Sequence, residues 1–222
     1  MEKRVLITGG SRGIGRAIAA RFADSGYEVI TPTREQLDLS STASIQQYVQ
    51  QNGGLQVDAL VNNAGENIIA PLEDLSLATW ERVLTVNLTA PFLLIQAVIP
   101  YMKAQQYGRI VSISSMYSLV SRAGRAPYSA SKAGLNGLTR TAAIECAPAN
   151  ILINTVCPGF VETDMTRQNN TNEQIQQLAQ MVPMQRLATP DEMAEFVFFL
   201  GSEHNTYITG QALPIDGGFT SQ

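Results

Sequence analysis

The sequence predicts a doubly wound α/β fold on a parallel sheet of about seven strands, and three observations carry that prediction. Apolar runs of strand length alternate with helix-period segments from one end of the chain to the other. A glycine-rich turn, Thr8-Gly9-Gly10-Ser11-Arg12-Gly13-Ile14-Gly15, stands between the first strand and the first helix. The 222 residues, 45% hydrophobic and 15% charged, suffice to bury the core of a single domain over 1–222.

Residues 4–8 form the first strand. The helix over 13–24 repeats its apolar face through Ile14, Ala17, Ile18 and Phe22, and Gly26 sits where a C-terminal stop is expected. Residues 28–31 are the second strand and 37–39 a short third one, with too few residues between them for a crossover helix. A helix over 42–51 leads to a buried strand over 58–62, which ends in the tight turn Asn63-Ala64-Gly65. Helices over 77–86 and 91–105, a strand over 108–114 and a long helix over 128–147, stopped by Pro148, come next. A strand over 152–156 turns out through Pro158-Gly159 into the polar segment 162–171, whose composition suits a mobile lid. Helices over 173–181 and 190–200, the latter with Thr189 as N-cap and proline in its first position, and a strand over 212–215 complete the chain.

Composition excludes several classes. Fifteen Lys and Arg against nineteen Asp and Glu leave a net charge of −4, with no basic run longer than Lys3-Arg4, which argues against a nucleic-acid partner. Only Val5, Leu6 and Ile7 separate the N-terminal charges from Thr8, and the longest apolar stretch, 91–100, is interrupted by Gln96. Neither a signal peptide nor a membrane span is expected, and the natural location is the cytoplasm. Cys146 and Cys157 form no CxxC pair and His204 is the sole histidine, so no metal site is expected.

Glycines where a strand meets a helix let a pyrophosphate approach the backbone, while the helix N-terminus offers free N–H groups and a positive dipole end. No Gly-Lys-Ser/Thr follows, which removes the phosphate-loop NTPase reading; an ordinary strand-to-helix turn remains open on the glycines alone. A dinucleotide lacking a 2′-phosphate usually meets an acidic residue near the end of the second strand. Here that region is Pro32-Thr33-Arg34, and Arg12 lies in the glycine loop itself. Two guanidinium groups there favour NADPH over NADH.

The pattern Thr-Gly-x-x-x-Gly-x-Gly at 8–15, Asn-Asn-Ala-Gly at 62–65, Asn87, Ser115, Tyr128-x-x-x-Lys132 and Pro158-Gly159 resembles the classical short-chain dehydrogenase/reductase family in order and spacing over nearly the whole chain. Glu-Thr-Asp-Met at 162–165 and the C-terminal segment 207–218 look most like the 3-oxoacyl-[acyl-carrier-protein] reductases. The resemblance implies a Rossmann-type fold and the catalytic set Asn87, Ser115, Tyr128 and Lys132. It implies an NADP(H) site formed by Gly9, Ser11, Arg12, Gly13, Ile14, Gly15, Arg34, Asp38, Leu39, Asn62, Ala64, Gly65, Pro158, Gly159, Val161 and Thr163, together with Tyr128 and Lys132. It also implies a homo-oligomer, dimer or homotetramer, pairing the helices over 87–105 and 128–147.

The chemistry can be argued from the residues. Tyr128 and Lys132 are four apart on one helix face. A phenol near pKa ~10 beside an ammonium at ~4 Å, in an effective dielectric of ~20, gains about 4 kcal/mol for its charged form, or about three pK units, so Lys132 is expected to lower the tyrosine pKa. Ser115 sits at the carboxyl edge of a strand, where it can bond a carbonyl oxygen. Ser112 and Ser114 compete by composition, and the family's thirteen-residue spacing to the tyrosine selects Ser115. By the resemblance, Asn87 holds a water that links Lys132 to solvent; sequence alone makes it a cap or turn residue. The implied reaction is NADPH-dependent reduction of a small-molecule ketone, a 3-oxoacyl thioester or similar carbonyl compound. An alcohol or sugar dehydrogenase and a non-catalytic NADPH sensor are the alternatives, and the complete residue set argues against the sensor.

Two departures stand out. The helix between the second and third strands is missing, next to the adenosine pocket. Carrier-protein reductases similar to this chain have basic residues near the positions of Gln106 and Ala149, and both charges are absent, which leaves Arg122 and Arg125 as the basic patch available to an acidic carrier.

Overall fold

The computed structural model describes residues 2–222. Among them, β1 (Arg4–Ile7), β2 (Glu28–Ile30), β3 (Ala59–Asn62), β4 (Gly108–Ile113), β5 (Ile151–Pro158) and β6 (Ala212–Ile215) form one sheet in the order β2-β1-β3-β4-β5-β6. Every pairing is parallel, with Val5 opposite both Val29 and Ala59, and Ile110 opposite both Leu60 and Ile153. Strand order reverses between β1 and β3, and in such sheets the crevice at the carboxyl ends beside the reversal is where nucleotides bind.

Alternating strand side chains feed two cores. On one face Val5, Ile7, Val61 and Val111 meet Ile18 and Phe22 of α1 (Gly13–Ala23) and Val197 and Phe198 of α8 (Pro190–Gly201). On the other face Leu6, Leu60, Ile110 and Ile153 meet Ile45 of α2 (Thr42–Gln51), Leu94, Val98 and Met102 of α4 (Ala90–Gln105) and Ala143 of α5 (Ala126–Cys146). A sheet covered on both faces needs strands that are apolar on both sides, which accounts for the unbroken apolar runs at 59–61 and 151–153.

The sheet has six strands, not about seven, because residues 37–39 are not extended. Thr33 O accepts from both Gln36 N and Leu37 N, so the chain turns directly after β2, and a parallel neighbour would need a crossover of a dozen or more residues. Leu37 instead plugs the core beside Ile45, with Leu39 packed against the same cluster. The serine-rich stretch then starts α2, capped by Ser41, whose Oγ accepts from Ser44 N.

The helices expected over 77–86 and 91–105 are one continuous helix. α3 (Leu77–Leu84) runs through a single π-helical turn, Thr85–Thr89, into α4. Pro91 does not break it because the wider turn ahead already leaves the proline nitrogen without a helical partner to lose. The 29 residues Leu77–Gln105 are long and apolar enough to cross a membrane, unlike the 91–100 stretch considered alone, but Leu94, Ile95, Val98 and Met102 spend that apolar surface on the sheet core. The segment 162–171, expected to be a loop, folds into α6 (Asp164–Asn169) and leads into α7 (Asn172–Gln180), capped by Thr163 and Thr171. The side chains of Asp164, Met165 and Asn169 lie outside the described residues.

Leu37 is 5% exposed, so Leu37→Ala should lower the urea unfolding free energy by about 2–5 kcal/mol; a change under ~0.5 kcal/mol would mean the connection does not pack as described.

Candidate active site

The crevice is built by loops that leave the carboxyl ends of β1, β3, β4 and β5. After β1 the chain turns through Gly9 and Gly13, both with positive φ, and enters α1. Gly15 faces the loop so closely that a Cβ there would lie 2.1 Å from Gly9 O, and a Cβ on Gly10 would strike Thr31 at the end of β2. The glycines therefore let the loop fold flat onto its own helix and onto the neighbouring strand. Arg12 is the N-cap but makes no side-chain cap bond, and no acidic residue occupies the first turn of α1. The first N–H groups of α1 and its positive dipole end thus remain available to an anion, with the exposed Ser11 and Arg12 beside them and Ile14 packed on the core below. A Cβ on Gly13 would lie 3.5 Å from Thr163, which places the start of α6 directly across from the glycine loop.

The turn after β3 is bolted to this loop. Thr8 Oγ1 accepts from Asn63 N (3.0 Å) and Ala64 N (3.1 Å), and Asn63 Nδ2 donates to Thr8 O and Gly9 O. Thr8 and Asn63 belong to the sequence patterns at 8–15 and 62–65, but the sequence assigns neither a role; that they fasten the two turns to each other is legible only once the register puts the strands side by side. Asn62 is buried in the sheet rather than on the turn surface; its Nδ2 donates to Ser112 Oγ, and its Oδ1 lacks a partner. At the end of β5, Gly159 N donates to Ile215 O, and a Cβ on Gly159 would lie 2.7 Å from Asp216 Cα. That close crossing fixes Pro158, after which Val161 bridges to Ala188 and Thr163 caps α6.

Asp38 accepts from Ser40 N and Ser40 Oγ, which hold its carboxyl below the usual range, and it lies 3.7 Å from Arg34 Nε. Arg34 is 70% exposed, so this contact is a weak and easily exchanged ion pair. Arg12 makes no ion pair among the described residues.

Of the predicted catalytic side chains, Asn87 and Lys132 meet beside Gly65, while Ser115 and Tyr128 neighbour each other. Ser115 follows β4 and opens a short 3-10 turn, Met116–Ser118. Its Oγ accepts from Tyr117 N at 3.1 Å, which leaves the hydroxyl proton free for a ligand. The two competing serines are committed elsewhere: Ser114 Oγ donates to Lys132 O, and Ser112 accepts from Asn62.

Tyr128 and Lys132 lie one turn apart on α5. Lys132 is 3% exposed, its Nζ donates to Ile113 O at 2.6 Å, and it stands 5.7 Å from the Tyr128 ring centre. Burial without a carboxylate holds its pKa down to about 8. The Tyr128 phenol has a window to solvent yet is crowded by protein, and this desolvation raises its pKa, with Ser115 and Arg125 pulling the other way. The expectation that Lys132 lowers the tyrosine pKa is therefore corrected for this state, because desolvation outweighs the attraction and the ammonium is turned to the Ile113 carbonyl.

Asn87 lies in the π-helical turn and is fully buried. Its Oδ1 accepts from Glu66 N, while Nδ2 donates to Glu66 O and to Ser131 Oγ, which in turn donates to Tyr128 O. A Cβ on Gly65 would lie 3.4 Å from both Asn87 Oδ1 and Lys132 Nζ, so the glycine marks where these two groups face each other. Glu66, clamped by Arg82 through two 2.8 Å bonds, fixes this corner from outside; sequence reasoning misses this pair because its members are sixteen residues apart with no motif between them.

Two family models match the sequence. The model described as enoyl-(acyl carrier protein) reductase matches residues 31–220, and that described as short chain dehydrogenase matches residues 3–47. The 3-oxoacyl-[acyl-carrier-protein] reductase FabG of Aquifex aeolicus is 39% identical over 96% of this chain and 95% of its own length. A structure from Beutenbergia cavernae, provisionally described as an NAD(P)-dependent gluconate 5-dehydrogenase with bound NADP at low occupancy, superposes with a TM-score of 0.92 at 34% identity, covering 99% of this chain and 97% of that one. A 4-hydroxyisoleucine dehydrogenase complexed with NADH superposes with a TM-score of 0.92 at 29% identity over 100% of both chains. The chain thus belongs to the short-chain dehydrogenase/reductase family, as an oxidoreductase that acts between an alcohol carbon and a carbonyl and binds a nicotinamide cofactor.

Proposed function

We propose that the chain, a single reductase domain over 1–222, uses NADPH to reduce a ketone to a secondary alcohol, with a 3-oxoacyl thioester or similar carbonyl compound as substrate. The grouping of Asn87 and Lys132 about Gly65, with Tyr128 beside Lys132 and Ser115 beside Tyr128, on the same sheet as the uncapped N-terminus of α1, carries the reading. Arg12 in the glycine loop and Arg34 beyond β2 support the 2′-phosphate form, since both are exposed and neither holds a strong partner. Leu39, Asn62, Ala64, Pro158 and Val161 shape the remaining walls of the cofactor site.

When bound, the nicotinamide supplies the hydride that the carbonyl carbon accepts. Ser115, with its Oγ already accepting a backbone N–H, points its proton at the carbonyl oxygen. Tyr128 holds its proton through the physiological range because burial raises its pKa, and it gives that proton up only when alkoxide charge builds beside it. Lys132 offers the nearest buried positive charge to the tyrosinate left behind. The Asn87 side chain is spent on Glu66 and Ser131, so it braces the corner, and a water linking Lys132 to solvent would bind the main chain of the wide turn.

The rim beyond Ser115 supports an acyl substrate. Leu119 and Val120 follow the serine turn with large exposed apolar faces, Ile69 meets the same loop at Gly124, and Arg125 packs on the Tyr117 ring nearby. A polyol or sugar acid is the second reading, favoured by the Beutenbergia cavernae neighbour. The proposed enzyme works in the cytoplasm as a homo-oligomer.

Wild type should oxidise NADPH with an acetoacetyl thioester, and Tyr128→Phe should abolish turnover while leaving NADPH affinity within about twofold; a fully active variant overturns the assignment of the acid, and reduction of NADP+ by gluconate with no turnover of the thioester favours the second reading. Arg12→Ala with Arg34→Ala should weaken NADPH binding by about ten- to a hundredfold and leave NADH binding nearly unchanged, which titration of both cofactors will check. For Lys132, the unfolded chain keeps a proton up to pH 10.5 that the folded one releases near 8. Stability should therefore rise by about 3 kcal/mol between those pH values through this residue, and urea melts of Lys132→Met should lack that rise.

A further inference from the structure

Behind the serine turn lies a chain of hydrogen bonds, buried at its sheet end and part-buried at Ser118, that the mechanism above does not use. Thr155 Oγ1, on β5, donates to Asn136 Oδ1 at 2.9 Å. Asn136 Nδ2 donates to Ser118 Oγ at 2.9 Å, and Ser118 Oγ donates to Ser115 O at 2.6 Å. Thr155 is fully buried and Asn136 is 4% exposed, so water competes poorly for these bonds. Asn136 lies one turn beyond Lys132 and two beyond Tyr128 on the same helix. One side chain therefore ties the helix bearing the acid to the turn bearing the serine and to the sheet beneath both.

The direction of the chain is determined by its members. Ser118 has one proton and gives it to the Ser115 carbonyl, so its oxygen must accept from Asn136 Nδ2, leaving the amide oxygen to accept from Thr155. The Cys157 thiol, 3.5 Å from Ser118 Oγ, completes the shell around that oxygen. Flipping the amide would turn Ser118 back toward Asn136 and leave the Ser115 carbonyl without this donor; the other polar neighbour of Thr155, Gln211 O, is more distant at 3.4 Å.

We propose that Asn136, acting through Ser118, is a positioning residue that sets the separation and aim of the Ser115 hydroxyl relative to Tyr128. This rests on the ketone-reductase reading. Transition-state stabilisation by a hydroxyl depends on where it points as charge develops, so a displacement of about 1 Å is expected to cost up to about a hundredfold in rate.

Asn136→Asp keeps the shape but, as a carboxylate, only accepts, which draws the Ser118 proton away from Ser115; Ser118→Ala removes the hub and Ser118→Thr retains the hydroxyl. With NADPH and an acetoacetyl thioester, assayed below the lowered thermal midpoints that the lost buried bond brings, kcat should fall by about ten- to a hundredfold in Asn136→Asp and in Ser118→Ala, with NADPH affinity close to wild type. The double variant should lose no more than the worse single one, because both break one chain, and Ser118→Thr should stay within about threefold of wild type. Single variants with unchanged kcat, or single losses that multiply in the double variant, overturn the proposal while the reductase reading stands. A wild type that binds NADPH but reduces no ketone overturns both.

Discussion

The buried ammonium of Lys132 is the constraint around which the site is arranged. An unpaired positive charge in a sheet core is costly, and the protein offsets that cost with a carbonyl at the end of β4 rather than with a carboxylate. A carboxylate there would neutralise the charge and compete with the phenol for it. The carbonyl holds the ammonium in place and leaves most of its field for a neighbour. The Ser114 bond to Lys132 O fastens the same residue from its backbone side, so helix α5 meets β4 through one amino acid held at both ends.

Gly65 gives this arrangement its second half. Any side chain at that position would crowd the space between Asn87 and Lys132, and the turn it belongs to is held to the glycine loop by Thr8. The cofactor side of the crevice and the proton-handling side are thus connected through three residues of one tight turn. Binding at the glycine loop and geometry at Tyr128 share a rigid support, which suits a reaction requiring two groups to meet the same carbonyl at once.

The alternation of strands and helices is legible in the sequence because buried parallel strands and amphipathic helices impose patterns that survive in a single chain. The proposed catalytic set is legible in part from helix spacing, as with Tyr128 and Lys132, and otherwise only through the family resemblance, which picks Ser115 from three serines and singles out Asn87. The features that escape sequence reasoning depend on tertiary context. Leu37-Asp38-Leu39 has the pattern of a strand, yet Leu37 is claimed by the core before any strand partner can reach it. The continuous helix through Thr85–Thr89 is hidden by Pro91, since one extra residue in the turn absorbs the proline without a break. The direction of the tyrosine pKa is misread from sequence because helix spacing gives proximity but not desolvation, and the surrounding protein decides the sign.

The wide turn at Thr85–Thr89 also makes the length of that helix exact to the residue. A π-helical turn accommodates one residue more than regular helix, and each residue advances the helix by a rotation of about 100°. Losing any one of those five residues would let the helix close into a uniform spiral, turning the Leu94, Val98 and Met102 face off the sheet or carrying Asn87 away from Gly65. Substitutions at its exposed positions leave this register intact, whereas deletions shift it, so its chain length is held by the corner at Gly65 and the sheet core together.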